Sequence, residues 1–196
     1  MRIIDYKDMA LAPLLHHVPP FITPNHLATV RLLLALPLII LLLQEHLILA
    51  FTIFVITMVL DAIDGSLARL RHTTSAIGEV LDPMADKAIF ISAFVILGYG
   101  TVPLNLFLTI LMLEVITFLG SLLSPIITKS MYGFTVAVKA NIFGQLKLTL
   151  YSVAMILLFL VGNNQELQLT ANGIFILGVL SSFTSMIYFA VQMKSR

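Results

Sequence analysis

Long apolar runs broken at short polar intervals set the pattern of this chain. A membrane helix needs about 20 mostly apolar residues, and six stretches reach that length: 27–44, 48–70, 79–98, 103–125, 142–161 and 171–192. The breaks carry turn or polar signals, at Gln44-Glu45-His46, Arg69 to Ser75, Gly98-Tyr99-Gly100, Pro125 to Lys139, and Gly162-Asn163-Asn164-Gln165-Glu166. Hydrocarbon offers no partner to a backbone N–H or C=O, so each run predicts a helix. Thr23-Pro24-Asn25 opens the first of them. The first 20 residues are different: acids and prolines interrupt them, so they do not read as a secretory leader. Within residues 1–22, Met9, Leu11, Leu14, Leu15 and Val18 predict an interfacial helix ended by Pro19-Pro20, with Lys7 near lipid phosphate. The expected fold is all-α, a polytopic membrane protein with six transmembrane helices plus the interfacial helix, in one domain over residues 1–196.

Composition agrees. The chain is 59% hydrophobic and 11% charged, with a mean hydropathy of +1.04, whereas soluble domains carry about 25% charged residues. There is too little polar surface to cover a water-soluble globule. Cysteine is absent, which excludes disulfides and thiolate metal ligands. Orientation follows from the cations. With a cytoplasmic N-terminus and six crossings, Arg2, Lys7, Arg31, Arg69, Arg71, Lys87, Lys129, Lys139, Lys147, Lys194 and Arg196 all fall at cytoplasmic ends, leaving Glu45, His46 and Glu166 for the other face.

Charges inside a membrane are costly, about 2.5–3.5 kcal/mol for a central carboxylate on insertion scales, and they mark function. The second and third stretches carry four: Asp61, Asp64, Asp82 and Asp86. Asp61 and Asp64 share a helix face at i, i+3, and Asp82 and Asp86 share one at i, i+4. A short loop makes the two helices antiparallel neighbours, with each pair one to two turns from it, so the four carboxylates can meet at one depth. Two divalent cations would cancel their formal charge. An all-oxygen donor set favours Mg²⁺ or Mn²⁺ over zinc, and paired metals suit in-line displacement at phosphorus. Gly65, Ala68 and Gly78 leave room on the cleft wall, and Arg69 stands where its planar fork can meet phosphate. Structural pairing of the acids with Arg69, Arg71 and Lys87, or an ion pathway, are the competing readings. A pathway would spread acids through the membrane depth, whereas these gather near one face.

The run Asp61-x₂-Asp64-Gly65-x₂-Ala68-Arg69-x₈-Gly78-x₃-Asp82-x₃-Asp86 resembles the full signature of the CDP-alcohol phosphotransferase family, eight positions at fixed spacing across 26 residues. The likeness extends more weakly to Thr23-Pro24-Asn25 and Arg31. It implies an integral cell-membrane enzyme, a CDP-linked lipid, CDP-diacylglycerol, as donor, a small alcohol as acceptor, a cytoplasm-facing site, and a homodimer, with no nucleic-acid partner. It further implies that Asp61, Asp64, Asp82 and Asp86 hold two divalent cations, Mg²⁺ or Mn²⁺, and that Asp86 is also the general base. Gly65, Ala68, Gly78 and Arg69 would bind the donor.

The run Asp82-Pro83-Met84-Ala85-Asp86-Lys87 is similar to the subgroup that makes phosphatidylglycerophosphate from glycerol 3-phosphate. Lys139, Gly144, Lys147 and Thr149 resemble that subgroup's basic stretch, which makes Lys139 and Lys147 the candidates for the acceptor phosphate. The chain departs from the subgroup at Leu113-Glu114, where an Arg-Glu pair is usual, and at Gly144-Gln145, where Gly-Lys is usual. Those departures keep phosphatidylglycerol, inositol phosphate and serine open as acceptors. Glu114 is expected to pair with Lys147 or Lys129, His72 to sit in a solvated loop, and Lys87 to offset the aspartates or touch phosphate.

Overall fold

A computed structural model of the chain describes residues 13, 15, 18–19, 22–71, 76–132 and 142–194, with the backbone alone at 76–77, 79, 121–132 and 189–194. Regular structure among the described residues is helical throughout. Six long helices follow in order: α1 Pro24–Leu43, α2 Leu47–Arg71, α3 Ala76–Gly98, α4 Leu104–Tyr132, α5 Ile142–Leu160 and α6 Gln165–Lys194. Four are long and apolar enough to cross a membrane, namely α1, α2, α5 and the Gln165–Tyr188 part of α6, while Leu104–Gly120 of α4 is a shorter apolar helix. Helix α3 has 23 residues, about 35 Å at 1.5 Å per residue. Its apolar character is interrupted by Asp82, Asp86 and Lys87, so the residues that weaken it as a span are themselves candidate site residues. The interfacial helix falls largely outside the described residues, as do His72 and Lys139.

Local chemistry explains the helix ends. Thr23 caps α1 in extended conformation, its side chain accepting from the His26 N–H while the His26 ring accepts from the Thr23 N–H. This is a capping box, with Pro24 at the first helical position, where its missing N–H costs nothing. The chain turns into α2 at Glu45 in the left-handed region, φ 58°. Gly100, φ 77°, makes the turn between α3 and α4, and Gly162, φ 47°, the turn between α5 and α6. Two helices run beyond their apolar stretches. Helix α6 begins at Gln165 rather than 171 because Asn164 Oδ1 accepts the N–H groups of Glu166 and Leu167, at 3.0 and 3.1 Å. Helix α4 continues past Pro125 to Tyr132; one interior proline removes a single ladder hydrogen bond and need not end a long helix.

The chain forms two compact units, residues 1–92 and 93–196, with the division falling inside α3. In the first, α1 packs on α2. The inward stripe of α1 is Ala28, Arg31, Ala35, Leu38 and Leu42, spaced by threes and fours, while Leu33, Leu36 and Leu43 face outward. Arg71, at the end of α2, donates to the carbonyls of Val18 at 2.6 Å and Ile22 at 2.8 Å and so ties down the segment leading into α1. In the second unit, α6 packs on α4 and α5. Phe94 stacks on Phe107 with centroids 5.1 Å apart and meets the Phe175 edge at 5.2 Å. Gly178 admits the Tyr151 ring so closely that a Cβ there would lie 2.3 Å from Cε1. Close helix approach at a small residue is a usual source of association between membrane helices.

Candidate active site

The candidate site lies in the first unit and is organised by a cation. Arg31 enters from α1, and its guanidinium is 2% exposed. Nη1 donates to Asp64 Oδ2 at 2.6 Å, and Nη2 is paired with Asp61 Oδ1 at 3.0 Å and with Asp86 Oδ1. Three carboxylates, two from α2 and one from α3, therefore converge on one side chain of α1. The i, i+3 spacing on α2 sends Asp61 and Asp64 to the same partner. They differ in depth: the Asp64 side chain is 4% exposed, Asp86 35% and Asp61 51%. The cluster is closed at Asp64 and open at Asp61 and Asp86.

Asp82, one turn before Asp86, is half-buried, and its Oδ1 is buried with no hydrogen-bond partner. A buried carboxylate oxygen without a partner carries a desolvation cost that something must repay. Among the described residues no three acidic or histidine side chains already surround one ion-sized point; three of them gather on the guanidinium instead. The donor chemistry nevertheless fits hard divalent cations: four carboxylates share the region, with no sulfur or imidazole among them, and one buried oxygen is unclaimed.

The other motif residues line the same stretch of α2 and α3. Gly65 leaves space that the Arg69 guanidinium borders, 3.4 Å from where a Cβ would stand. Arg69 is exposed and donates to Ser66 Oγ at 3.1 Å. Ala68 is partly exposed and Gly78 is buried. Lys87 is half-buried. Among the described residues the cation in contact with the aspartates is Arg31, while Arg69 donates to Ser66 and Arg71 to backbone carbonyls. The available signal was an arginine inside an apolar run, which needs an anionic partner to be tolerated in a membrane.

A second buried charge pair lies in the second unit. Lys147 Nζ is 2.9 Å from Glu114 Oε1, with the side chains 8% and 2% exposed. The ammonium also lies 5.8 Å from the centre of the Tyr151 ring. Pairing with Lys147 was one of the two partners expected for Glu114; the side chain of the other, Lys129, is outside the described set.

Comparison with known proteins adds an independent observation. The profile described as CDP-alcohol phosphatidyltransferase matches residues 21–188, most of the chain and both units. A CDP-diacylglycerol–glycerol-3-phosphate 3-phosphatidyltransferase of Cereibacter sphaeroides is 42% identical over 82 residues, covering 39% of this chain and 37% of that protein. A cardiolipin synthase (CMP-forming) of Homo sapiens is 35% identical over 82 residues, covering 41% of this chain and 27% of that protein. The matched stretch thus spans about a third of the length of these curated relatives.

Proposed function

This chain belongs to the CDP-alcohol phosphatidyltransferase family, and from that premise we propose that it transfers a phosphatidyl group from CDP-diacylglycerol to a small alcohol, glycerol 3-phosphate first, and releases CMP. The observation that carries the reading is the convergence of Asp61, Asp64 and Asp86, from two consecutive helices, on one buried point, with Asp82 Oδ1 buried and unclaimed beside it.

In this reading Asp61, Asp64, Asp82 and Asp86 hold two divalent cations, Mg²⁺ or Mn²⁺, which when bound would neutralise the donor diphosphate and stabilise the departing CMP. The small residues Gly65, Ala68 and Gly78 take the donor against the backbone, and Arg69, exposed and bonded to Ser66 Oγ by one nitrogen, pairs with its phosphates. Asp86, whose side chain reaches solvent, accepts the proton of the acceptor hydroxyl. The hydroxyl oxygen bonds to the lipid-bearing phosphorus, the bond from that phosphorus to the bridging oxygen breaks, and CMP keeps that oxygen. Of the two acceptor-phosphate candidates, Lys147 is engaged by Glu114, so Lys139 carries that part of the proposal. All six helices cross the membrane, with both termini and the site cytoplasmic, residues 1–196 form one catalytic domain, and the enzyme works as a homodimer in the bilayer. The similarity to the glycerol-3-phosphate enzyme supports that acceptor. Similarity to cardiolipin synthases favours a lipid acceptor as the second reading.

The test is CMP release from CDP-diacylglycerol by purified protein in detergent, with the lipid product identified by mass. Activity should need Mg²⁺ or Mn²⁺, stop in excess EDTA, and vanish in Asp86→Asn. Full activity in EDTA or in Asp86→Asn would refute the reading, and the product mass decides between the two acceptors.

A further inference from the structure

The guanidinium at the centre of the cluster poses a question that the reaction leaves open. Arg31 and the acids cannot all keep these contacts if the same carboxylates turn to hold divalent cations. Three of the four acids spend an oxygen on Arg31, and the two contacts at Nη2 are with the more exposed acids, Asp61 and Asp86. The open side of the cluster is therefore the side on which Arg31 shares one nitrogen between two carboxylates. The closed side is a separate, single pairing of Nη1 with Asp64. Arg31 Nε is buried and has no hydrogen-bond partner, so the side chain is fixed by its carboxylates and not by a fully satisfied hydrogen-bond net.

We propose that Arg31 is the resident counter-ion of this cluster: it holds Asp61, Asp64 and Asp86 together in the metal-free protein and is displaced from Asp61 and Asp86 when divalent cations load. The inference rests on the metal reading given above and concerns what this chain does before the ions arrive. Without Arg31, three carboxylates drawn from two helices would face one another with no cation, and like charges at such distances repel strongly in a poorly screened site. With it they stay gathered but undercompensated, since among the described residues one cation contacts three acids and the buried Oδ1 of Asp82 has no partner. That residual negative charge attracts a divalent ion, and the exposed pair at Asp61 and Asp86 is where it can enter. Arg31 is thus a positioning residue, competing with the ions for the same oxygens.

A purely structural role and a competing counter-ion predict opposite metal affinities. If Arg31 only held the helices in place, its loss would disorder the carboxylates and weaken metal binding. If it competes, its loss strengthens binding while lowering the stability of the metal-free form. The experiment measures Mn²⁺ binding by electron paramagnetic resonance and melting in EDTA, for wild type, Arg31→Gln and Arg31→Lys in detergent. Arg31→Gln should melt lower than wild type in EDTA yet bind Mn²⁺ about tenfold more tightly, and Arg31→Lys, which restores the charge, should return both values toward wild type. Binding of Mn²⁺ by wild type with equal or weaker binding by Arg31→Gln would overturn this inference alone. No Mn²⁺ binding by either protein would overturn the metal reading and this inference with it. Should Arg31→Gln fail to fold, wild type labelled with ¹⁵N-arginine decides the matter. The Arg31 Nε–H resonance, assigned by its loss in Arg31→Lys, should move on addition of Mg²⁺, and a resonance unmoved at saturating Mg²⁺ would overturn the exchange.

Discussion

Replacing Lys147 with methionine keeps a long flexible side chain and removes the cation from a pair that is almost closed to solvent. Nζ and Glu114 Oε1 are 2.9 Å apart and the two side chains are 8% and 2% exposed. Glu114 would then be a buried carboxylate that has lost the ammonium 2.9 Å away. Removing one partner of such a pair costs about 3–5 kcal/mol, because the remaining charge is left uncompensated. Glu114→Met should cost a similar amount for the mirror reason. The double variant Glu114→Met/Lys147→Met removes both charges and should return to within about 1 kcal/mol of wild type, or exceed it, as apolar replacements of buried pairs often do. The coupling energy is then about as large as either single loss, the mark of residues in direct contact.

Unfolding in mixed micelles of dodecyl maltoside and SDS would give these values, and CMP release assayed in parallel adds a functional arm. If Lys147 serves only to balance Glu114, the double variant regains activity along with stability. If it grips the acceptor phosphate, the double variant stays inactive and the acceptor KM of Lys147→Met rises while its donor KM does not. Single variants that lose less than about 1 kcal/mol, or a double variant that loses the sum of the two, would refute the claim that the pair is energetically closed.

Other outcomes follow from the same geometry. Asp82→Asn keeps the shape of a side chain whose Oδ1 is buried and unpartnered; it should lower CMP release by about a hundredfold or more while leaving the melting temperature in EDTA unchanged or raised, and a clear loss of stability would count against a functional role. Gly178→Ala places a Cβ 2.3 Å from the buried Tyr151 ring, so the unfolding midpoint should fall by the equivalent of about 1–3 kcal/mol, whereas Gly173→Ala, with nothing within 4 Å, should not lower it. Arg71→Ala removes the hydrogen bonds to the Val18 and Ile22 carbonyls, so limited proteolysis by proteinase K should cut faster beside Val18 and Ile22; an unchanged rate would show that these hydrogen bonds do not protect the chain there.

Much of this architecture was legible because the physics that makes it is local. Apolar runs and glycine turns marked the helices, and the breaks at Glu45, Gly100 and Gly162 each coincide with a left-handed residue. The start of α6 was placed too late because Asn164 acts as its cap, a signal hidden within a polar loop that offers several candidate caps. Which face of α1 turns inward was not legible: Leu38 and Leu42 are buried while Leu33 and Leu36 are exposed, and residue type cannot separate core from lipid when both are apolar. Asp61, Asp64, Asp82 and Asp86 stood out by their i, i+3 and i, i+4 spacing. Arg31 did not, because its partners lie 30 to 55 residues further along the chain and no local pattern joins them.

The two buried charge systems differ in a way that separates scaffold from site. Glu114 and Lys147 meet charge to charge with both side chains closed to solvent, so each buried charge has an opposite one against it. Around Arg31 the count among the described residues is unequal: one cation, three acids in contact, and a fourth acid with a buried oxygen that no described group claims. Buried charge left uncompensated is expensive in a membrane protein and persists where function needs it. The imbalance also has a direction, since the acids with most access to solvent are the ones sharing a single nitrogen. A balanced pair can be replaced by apolar residues at little cost to the molecule. An unbalanced cluster cannot, if the proposed function holds, because its residual charge is then what draws cations and, with them, a nucleoside diphosphate.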